Sequence, residues 1–233
     1  MASRRSSPAD ALVLFDIDGT LIRRAGPHHR ESLIDAVRHA TGLATTTDGI
    51  PLHGMLDPDI LTVMLSNAGA SRRLIREALP EILRRAQSLY VRRVPSLERK
   101  TCPGVRRLLS GLSRRGVPMG LVTGNLPRIG WKKVERAGLK QHFTLAAFAG
   151  MHATRTGLAR IAIRLAREKD LIRNGARISL IGDTPADVEA AKTNGIQAVA
   201  VATGLSSLEE LSGASPDVLL PDLRSLRLKD LLP

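Results

Sequence analysis

Two aspartates, Asp16 and Asp18, stand directly after the apolar run Ala11 to Phe15. The run has the length and composition of a buried strand, and side chains along a strand alternate between its two faces. We therefore expect Asp16 and Asp18 to point to one side and Ile17 to the other. Two carboxylates this close repel each other unless a cation or a shared proton offsets their charge. Oxygen ligands of this kind suit Mg²⁺, so the pair predicts a divalent-cation site.

A second acidic pair, Asp183 and Asp187, follows another apolar run, Ile178 to Ile181. Asp183 lies at the end of this predicted strand, and Asp187 falls in the first turn of a helix predicted to begin at Pro185. Either aspartate alone could be a helix cap. Because ligands of open parallel sheets bind at the carboxyl ends of the strands, we expect both pairs to meet there. Four convergent carboxylates predict a site for Mg²⁺.

Small polar residues follow a third apolar run, residues 117–122. They are Thr123, Gly124 and Asn125, and a helix is predicted from Pro127 onwards. A hydroxyl group and closely approachable backbone N–H groups in front of a helix suit an anion such as phosphate. Cation ligands and anion ligands are thus predicted at the same edge of one sheet.

The segments around these residues alternate between short apolar runs and helical patterns. This alternation predicts an α/β fold in which helices cover both faces of a parallel sheet. The predicted strands are 11–15, 117–122, 178–181, 198–201 and 218–220. The predicted helices of this core are 103–115, 127–137, 156–167 and 185–193.

Residues 25–100 break the alternation because they contain no strand-like run. Helices are predicted there over 27–40, 58–68 and 71–94, and Pro80 is expected to interrupt the last of them. We therefore predict three parts: a flexible N-terminal tail over 1–10, an α/β core over 11–24 and 101–233, and an inserted α-helical domain over 25–100.

With these motifs in this order, the chain resembles the haloacid dehalogenase-like hydrolase superfamily, and in particular its phosphatases with a helical cap, such as the phosphoglycolate phosphatases. The resemblance implies a Rossmann-like core in which Asp16 is the nucleophile that accepts a phosphoryl group. Asp18 would protonate the leaving oxygen and later activate water. The dehalogenases lack this second aspartate, so dehalogenation is disfavoured. The implied metal ligands are Asp16, Asp18, Asp183 and Asp187, and the implied phosphate ligands are Thr123, Gly124 and Asn125.

One motif departs from the family pattern, which has a lysine before the helix that precedes the last acidic motif. Residues 150–158 contain no lysine. Arg155 is the predicted replacement, as a catalytic and phosphate-binding cation, and Arg160 is the alternative. An arginine keeps the positive charge but presents it as a planar fork of donors.

The resemblance also implies a role for the insertion. Its stretch over residues 54–58 looks like the cap loop that faces the active site in similar phosphatases. A cap that closes excludes water from the chemistry. Four basic residues after the first motif are either substrate contacts or solvated surface, namely Arg23, Arg24, His28 and His29.

Composition narrows the class of protein further. The 233 residues include 35 Lys and Arg against 22 Asp and Glu, a formal net charge of +13. The excess could indicate a nucleic-acid partner, but only 2% of the residues are aromatic, and the basic residues form scattered pairs such as Lys132-Lys133. No run is long enough to span a membrane and no signal peptide is recognisable. With Cys102 as the single cysteine, we expect a cytoplasmic enzyme.

The expected activity is Mg²⁺-dependent hydrolysis of a small phosphorylated metabolite. A phosphomutase similar to the β-phosphoglucomutases would use the same aspartate pair. A basic nucleic-acid-associated protein would use the net charge instead. The sequence leaves the substrate and the oligomeric state open.

Overall fold

Six strands form one parallel sheet at the centre of the molecule. The computed structural model describes residues 7–23 and 25–233. Its strands are β1 (Ala9–Phe15), β2 (Met119–Thr123), β3 (Leu145–Phe148), β4 (Ile172–Gly182), β5 (Gln197–Val201) and β6 (Val218–Leu220). They are ordered β3-β2-β1-β4-β5-β6 across the sheet, and every neighbouring pair is parallel.

β1 lies in the middle of the sheet between β2 and β4. Its residues 11–15 are all buried, and a strand covered on both faces needs the continuous apolar run that the sequence has there. The register pairs Phe15 with Leu121 of β2 and with Ile181 of β4. The carboxyl ends of these three strands therefore lie side by side.

The described residues contain eight α-helices, and four of them lie between β1 and β2 in the chain, the first three within residues 25–100. They are α1 (His28–Thr41), α2 (Asp57–Asn67), α3 (Arg72–Arg93), α4 (Val105–Arg114), α5 (Pro127–Arg136), α6 (Arg155–Glu168), α7 (Pro185–Thr193) and α8 (Leu208–Gly213). α6 packs on β2 and β3, and α7 packs on β4 and β5. The predicted α/β class with a Rossmann-like parallel sheet is confirmed.

The inserted helices α1 and α2 both pack against α3, and no strand forms among the described residues of 25–100. The interruption predicted at Pro80 was wrong, because α3 continues through this residue. Pro80 is exposed, so its ring costs the helix one backbone hydrogen bond and displaces no packing. Buried residues on the following turns hold the helix against its neighbours, namely Ile82, Ala86, Leu89 and Tyr90.

Several strand boundaries differ from the sequence prediction. β4 begins at Ile172, six residues before the predicted run, and β2 begins and ends later than predicted, at Met119 and Thr123. β1 begins at Ala9, so the end of the predicted tail belongs to the sheet, while residues 1–6 and Arg24 lie outside the described residues. β3 was not predicted, because two of its four residues are alanines, which are not typical of strands, and it forms by pairing with β2. Among the described residues, no helix combines the length and apolar character that crossing a membrane requires.

Candidate active site

The carboxyl ends of β1, β2 and β4 bring the predicted site residues to one edge of the sheet. β1 leads directly into Asp16, β2 ends at Thr123, and β4 ends immediately before Asp183. The backbone N–H of Asp16 donates to the Ile181 carbonyl at 3.0 Å, which ties Asp16 to the neighbouring strand. These side chains therefore project from a rigid part of the fold.

Asp16, Asp183 and Asp187 form a buried acidic cluster at this edge. One carboxylate oxygen of each lies within 4.8 Å of the other two, and none of the three residues is more than 4% exposed. Asp18 does not join this cluster, because its carboxylate is bound instead by Lys133 and Asn125. The expectation that Asp18 is a fourth carboxylate ligand is not met by this arrangement.

Burial and mutual repulsion raise the pKa of two carboxyl groups in the acidic cluster. The pKa of Asp183 rises to about 9 because the group is buried and because Asp16 and Asp187 carry like charge. The pKa of Asp16 rises to about 6, since burial outweighs the attraction of Arg155. The single positive charge of Arg155 does not neutralise three ionised carboxylates. A divalent cation fits this cluster, and an all-oxygen set of donors is the kind that Mg²⁺ prefers.

A threonine and two glycines hold Asp183 in place. The Oγ1 of Thr20 donates to Asp183 Oδ1 at 3.2 Å. A Cβ atom at Gly19 or at Gly204 would collide with the Asp183 carboxylate. Gly19 also has a φ of +86°, which glycine adopts without steric cost. The turn after the first strand thus brings its backbone directly against the acidic cluster.

Asp187 reaches the cluster from the first turn of α7. The Thr184 side chain accepts a hydrogen bond from the Asp187 N–H at 3.3 Å, and Asp187 Oδ2 accepts from the Thr184 N–H and hydroxyl at 3.2 and 2.7 Å. This reciprocal capping box fixes the carboxylate. Asp187 Oδ1 is buried without a hydrogen-bond donor, although it forms an ion pair with Arg155 Nη1 at 3.0 Å. A buried oxygen with this unused capacity suits a cation ligand.

Arg155, at the start of α6, is the cation that lies beside the acidic cluster. Its Nη1 donates to Asp16 Oδ1 at 2.9 Å and to the Val122 carbonyl at 3.3 Å. Burial lowers the pKa of Arg155, but the carboxylates of Asp187 and Asp16 outweigh burial and raise it above its ordinary value. Arg160, the alternative cation, is exposed and lines a separate surface groove.

Thr123 and Asn125 are buried and bonded to each other beside the acidic cluster. Asn125 Nδ2 donates to Thr123 Oγ1 and to Asp18 Oδ2, both at 2.7 Å. Gly124 lies under the insertion, since a Cβ atom there would collide with the Met55 carbonyl oxygen. All three predicted phosphate ligands line the same cavity as Asp16.

Lys133, which the sequence places in one of the scattered basic pairs, is 1% exposed and belongs to the site. Its Nζ donates to both Asp18 oxygens at 2.7 and 2.6 Å and to Asn125 Oδ1 at 2.7 Å. Burial raises the pKa of Asp18, but the charge of Lys133 opposes it and the net shift is downward. The missed signal is that Lys133 falls on the apolar face of its helix. That buried face consists of Ile129, Gly130, Lys133 and Val134.

A cavity of about 470 Å³ opens between this edge of the sheet and the inserted helices. Asp16, Thr123 and Arg155 line it on the side of the sheet. Five further basic residues line it, namely Arg23, His29, Arg30, His53 and Lys133. A cavity of this size holds a small molecule, and its basic lining suits an anionic one.

A carboxylate placed beside a cation site and an arginine can attack phosphorus while positive charge offsets that of the phosphoryl oxygens. The fold and the site together therefore define an α/β enzyme of the hydrolase class. Residues 11–195 match the family of haloacid dehalogenase-like hydrolases, and the chain belongs to that family. The predicted family and the prediction of an enzyme of this kind are confirmed.

Two relatives illustrate the kinds of protein that the chain is similar to. It is 28% identical to a phosphoglycolate phosphatase of Synechococcus elongatus, over 89% of this chain and 91% of the relative. It is 31% identical to a phosphoserine phosphatase of Thermus thermophilus, over 74% of this chain and 70% of the relative. Among solved structures, CbbY from Rhodobacter sphaeroides in complex with phosphate has the same fold, with a TM-score of 0.72 and 21% identity over 95% of this chain and 98% of that one.

Proposed function

We propose that this chain is a Mg²⁺-dependent phosphatase that hydrolyses a small phosphorylated metabolite through a phosphorylated Asp16. The observation that carries the proposal is the buried acidic cluster beside Arg155 in the wall of the cavity. The names of the two relatives support this choice of substrate, because phosphoglycolate and phosphoserine are both small phosphorylated acids. Arg23 and Arg30, which line the cavity, favour a substrate with a further acidic group.

The chain's own residues divide the binding of the phosphoryl group and the cation between them. Asp16, Asp183 and Asp187 would hold Mg²⁺, which when bound supplies charge that offsets that of the phosphoryl oxygens. Arg155 keeps one oxygen of Asp16 at 2.9 Å and has further N–H groups to donate to the phosphoryl oxygens. Thr123 would contribute its hydroxyl group, with backbone N–H groups at Gly124 and Asn125.

Two carboxylates carry the reaction in the proposed mechanism. An oxygen of Asp16 attacks phosphorus, and the ester bond breaks as Asp18 gives its proton to the leaving alkoxide. Asp18 then takes a proton from water, whose oxygen attacks phosphorus and releases phosphate and free Asp16. The same group therefore acts first as an acid and then as a base.

The inserted helices over 25–100 are proposed to be a cap on the core of residues 11–24 and 101–233. The support comes from contacts of the stretch 54–58. The Asp57 N–H donates to the Gly124 carbonyl, and Asp57 Oδ2 accepts from the Leu126 N–H, both at 2.8 Å. A cap held in this position excludes bulk water from the phosphoryl group.

Phosphate release tests the proposed function. The substrates are p-nitrophenyl phosphate and a panel of phosphorylated metabolites that includes phosphoglycolate and phosphoserine, each with Mg²⁺ and with chelator. We expect activity with Mg²⁺ and its loss in chelator. Asp16→Asn should lose at least about 10³-fold in kcat, because the nucleophile is removed.

Asp48→Asn is the matched control, since Asp48 is an exposed aspartate. This variant should keep its activity within about twofold, as surface substitutions usually do. Full activity in chelator, or hydrolysis that survives in Asp16→Asn, would contradict the proposal.

A further inference from the structure

We infer that Lys133 is a positioning residue that fixes the Asp18 carboxylate for its acid–base role, and that His29 of the inserted helix α1 completes the set of acceptors around the Lys133 ammonium group. The inference rests on the proposed function, because it concerns the proton that Asp18 gives to the leaving oxygen. The supporting observation is that residues of the core and a residue of the insertion accept hydrogen bonds from the same buried ammonium group.

The Lys133 ammonium group is fully used by three neighbouring side chains. It has three N–H groups. Four acceptor atoms surround it, so the two oxygens of Asp18, at 2.7 and 2.6 Å, share one N–H, and the other two N–H groups face Asn125 Oδ1 at 2.7 Å and His29 Nδ1 at 3.1 Å. The ring of Tyr90 lies 5.9 Å from Nζ, close enough for a cation–π contact. An ammonium group with a partner for each proton has one preferred orientation, and so do its acceptors.

Asp18 needs such a restraint because its side chain is far less enclosed than that of Asp16. The Asp18 side chain is 44% exposed, whereas that of Asp16 is 4% exposed. Lys133 and Asn125 are the side chains that bind the Asp18 carboxylate among the described residues. Asn125 is itself held by Lys133, so the lysine controls both contacts. A carboxylate that must reach the leaving oxygen works best when its geometry is fixed beforehand.

A purely structural role gives no reason for a lysine at this position. Burying an ammonium group is costly unless every proton is paired, and an apolar residue of similar volume often stabilises a protein as well or better. The neighbouring positions on the buried face of α5 are apolar or glycine. The charge of Lys133 therefore has a role beyond packing. Its shortest contacts are with the Asp18 carboxylate.

The contact with His29 extends this arrangement into the insertion. Because His29 Nδ1 accepts from Lys133, Nε2 carries the ring proton and donates to Asp57, with 3.1 Å to Oδ1. Asp57 also accepts from the Leu126 N–H of the core at 2.8 Å. The continuous line Asp57–His29–Lys133–Asp18 therefore joins the insertion to the acid–base group. When the insertion is displaced, the third proton of Lys133 loses its acceptor.

The experiment compares substrates whose leaving groups differ in their need for a proton. An alkoxide must be protonated by Asp18, whereas p-nitrophenolate leaves without it. The measured quantity is kcat/KM, which reports the transfer of the phosphoryl group to Asp16. In Lys133→Met, we expect kcat/KM for the best alkyl phosphate of the panel to fall about 10²-fold, because the Asp18 carboxyl group loses the contacts that hold it in place for the leaving oxygen. For p-nitrophenyl phosphate the fall should be less than about fivefold.

Lys132→Met is the matched control, because the neighbouring lysine pairs with the half-exposed Glu135 at 2.6 Å. Both substrates should keep their kcat/KM within about twofold in this variant. A second variant, His29→Phe, keeps an aromatic ring against Tyr90, which lies 5.6 Å away, but removes both nitrogens. It should shift the ratio of the two kcat/KM values in the same direction by about tenfold, since the charge of Lys133 remains.

Equal losses on both substrates in Lys133→Met would overturn the positioning role. An unchanged ratio in His29→Phe would overturn the connection to the insertion, and this variant also decides the inference if Lys133→Met fails to fold. The failure of the proposed function looks different: wild-type protein inactive on every phosphate ester, or Asp16→Asn fully active.

Discussion

Arg155 explains how an arginine can occupy the place at which the family pattern has a lysine. Its Nη1 lies 2.9 Å from Asp16 Oδ1, 3.0 Å from Asp187 Oδ1 and 3.3 Å from the Val122 carbonyl. A guanidinium group presents five N–H donors in a plane, so it can hold two carboxylates and still face a substrate. All three contacts use Nη1, so the other guanidinium nitrogens remain for a substrate, whereas the one nitrogen of a lysine side chain would have to serve both.

Substitution of Arg155 should therefore lower kcat, and the loss should be larger for methionine than for lysine. Arg155→Met removes the cation that we propose binds the phosphoryl oxygens and should lower kcat by about 10²-fold or more, as the loss of such a donor typically does. Arg155→Lys keeps the charge and should lower kcat only about tenfold. Steady-state hydrolysis of p-nitrophenyl phosphate with Mg²⁺ measures both variants.

Arg160→Met is the control, since Arg160 lies exposed on the same helix. Its kcat should stay within about twofold of the wild-type value. If Arg160→Met were impaired and Arg155→Met were not, the assignment of the cation would be reversed.

At the scale of elements, α3 shows a helix that tertiary packing maintains against a local signal. Pro80 lies inside its 22 residues and lacks the N–H that would bond to the Arg76 carbonyl. Packing of α3 against α1, α2 and α5 outweighs this local cost. A proline inside a helix does destabilise it, but the cost in free energy is only a few kcal/mol.

Replacing Pro80 with Ala should stabilise the protein. The variant regains one helical hydrogen bond and loses no packing, because Pro80 is exposed. The larger entropy of the unfolded chain offsets part of the gain. We expect a net increase of about 2 kcal/mol in the free energy of unfolding, or about 4 to 8 °C in Tm.

Pro58→Ala provides the control for this substitution. Pro58 lies in the first turn of α2, where a backbone N–H has no acceptor within the helix. Its Tm should change by no more than about 2 °C. If the Tm of Pro80→Ala is at or below that of the wild type, Pro80 does not destabilise α3 as expected.

At the scale of the whole molecule, the net charge is +13, but the buried acidic cluster is negatively charged when its carboxyl groups are ionised. Three of the 22 acidic residues form the acidic cluster, and Arg155 is the cation that pairs with it among the described residues. The remaining surface is correspondingly more basic, which favours the approach of phosphate esters. The cluster itself makes stability depend on pH and on a cation.

The stability of the protein in chelator should fall as pH rises from about 5 to about 9. Folding raises the pKa of Asp16 to about 6 and that of Asp183 to about 9, both because of burial, from a value of 3.8. The folded protein therefore holds protons that the unfolded chain has lost. Their contribution to stability is complete below about pH 4 and disappears as the pH passes through the two raised pKa values.

Mg²⁺ should oppose this fall because it binds the ionised carboxylates. At a concentration about 100 times its Kd, it should raise Tm by about 5 to 10 °C near pH 8, and by less near pH 6. Thermal unfolding followed by circular dichroism measures the difference. Asp183→Asn should lose most of the Mg²⁺ effect, whereas an equal shift in Asp183→Asn and wild type would place the cation elsewhere.

Much of the fold could be predicted because its central strands are buried on both faces. Such strands require continuous apolar runs, and five of the six are recognisable in that way, with β6 and α7 predicted at their observed bounds. β3 could not be recognised, since two of its four residues are alanines with little strand preference and its partner β2 lies more than twenty residues away in the chain. The extent of α3 was missed because packing, and not local preference, decides it.

By itself, the sequence determined which residues end the central strands. Asp16, Thr123 and Asp183 follow apolar runs, and parallel pairing then puts them at one edge whatever the details of packing. Only the tertiary structure decided how the charges pair. Asp16 meets Arg155, and Asp18 meets Lys133 across 115 positions of sequence. Local patterns report which face of an element is buried, but the partner of a buried charge depends on which elements pack together, and that is fixed only when the chain folds.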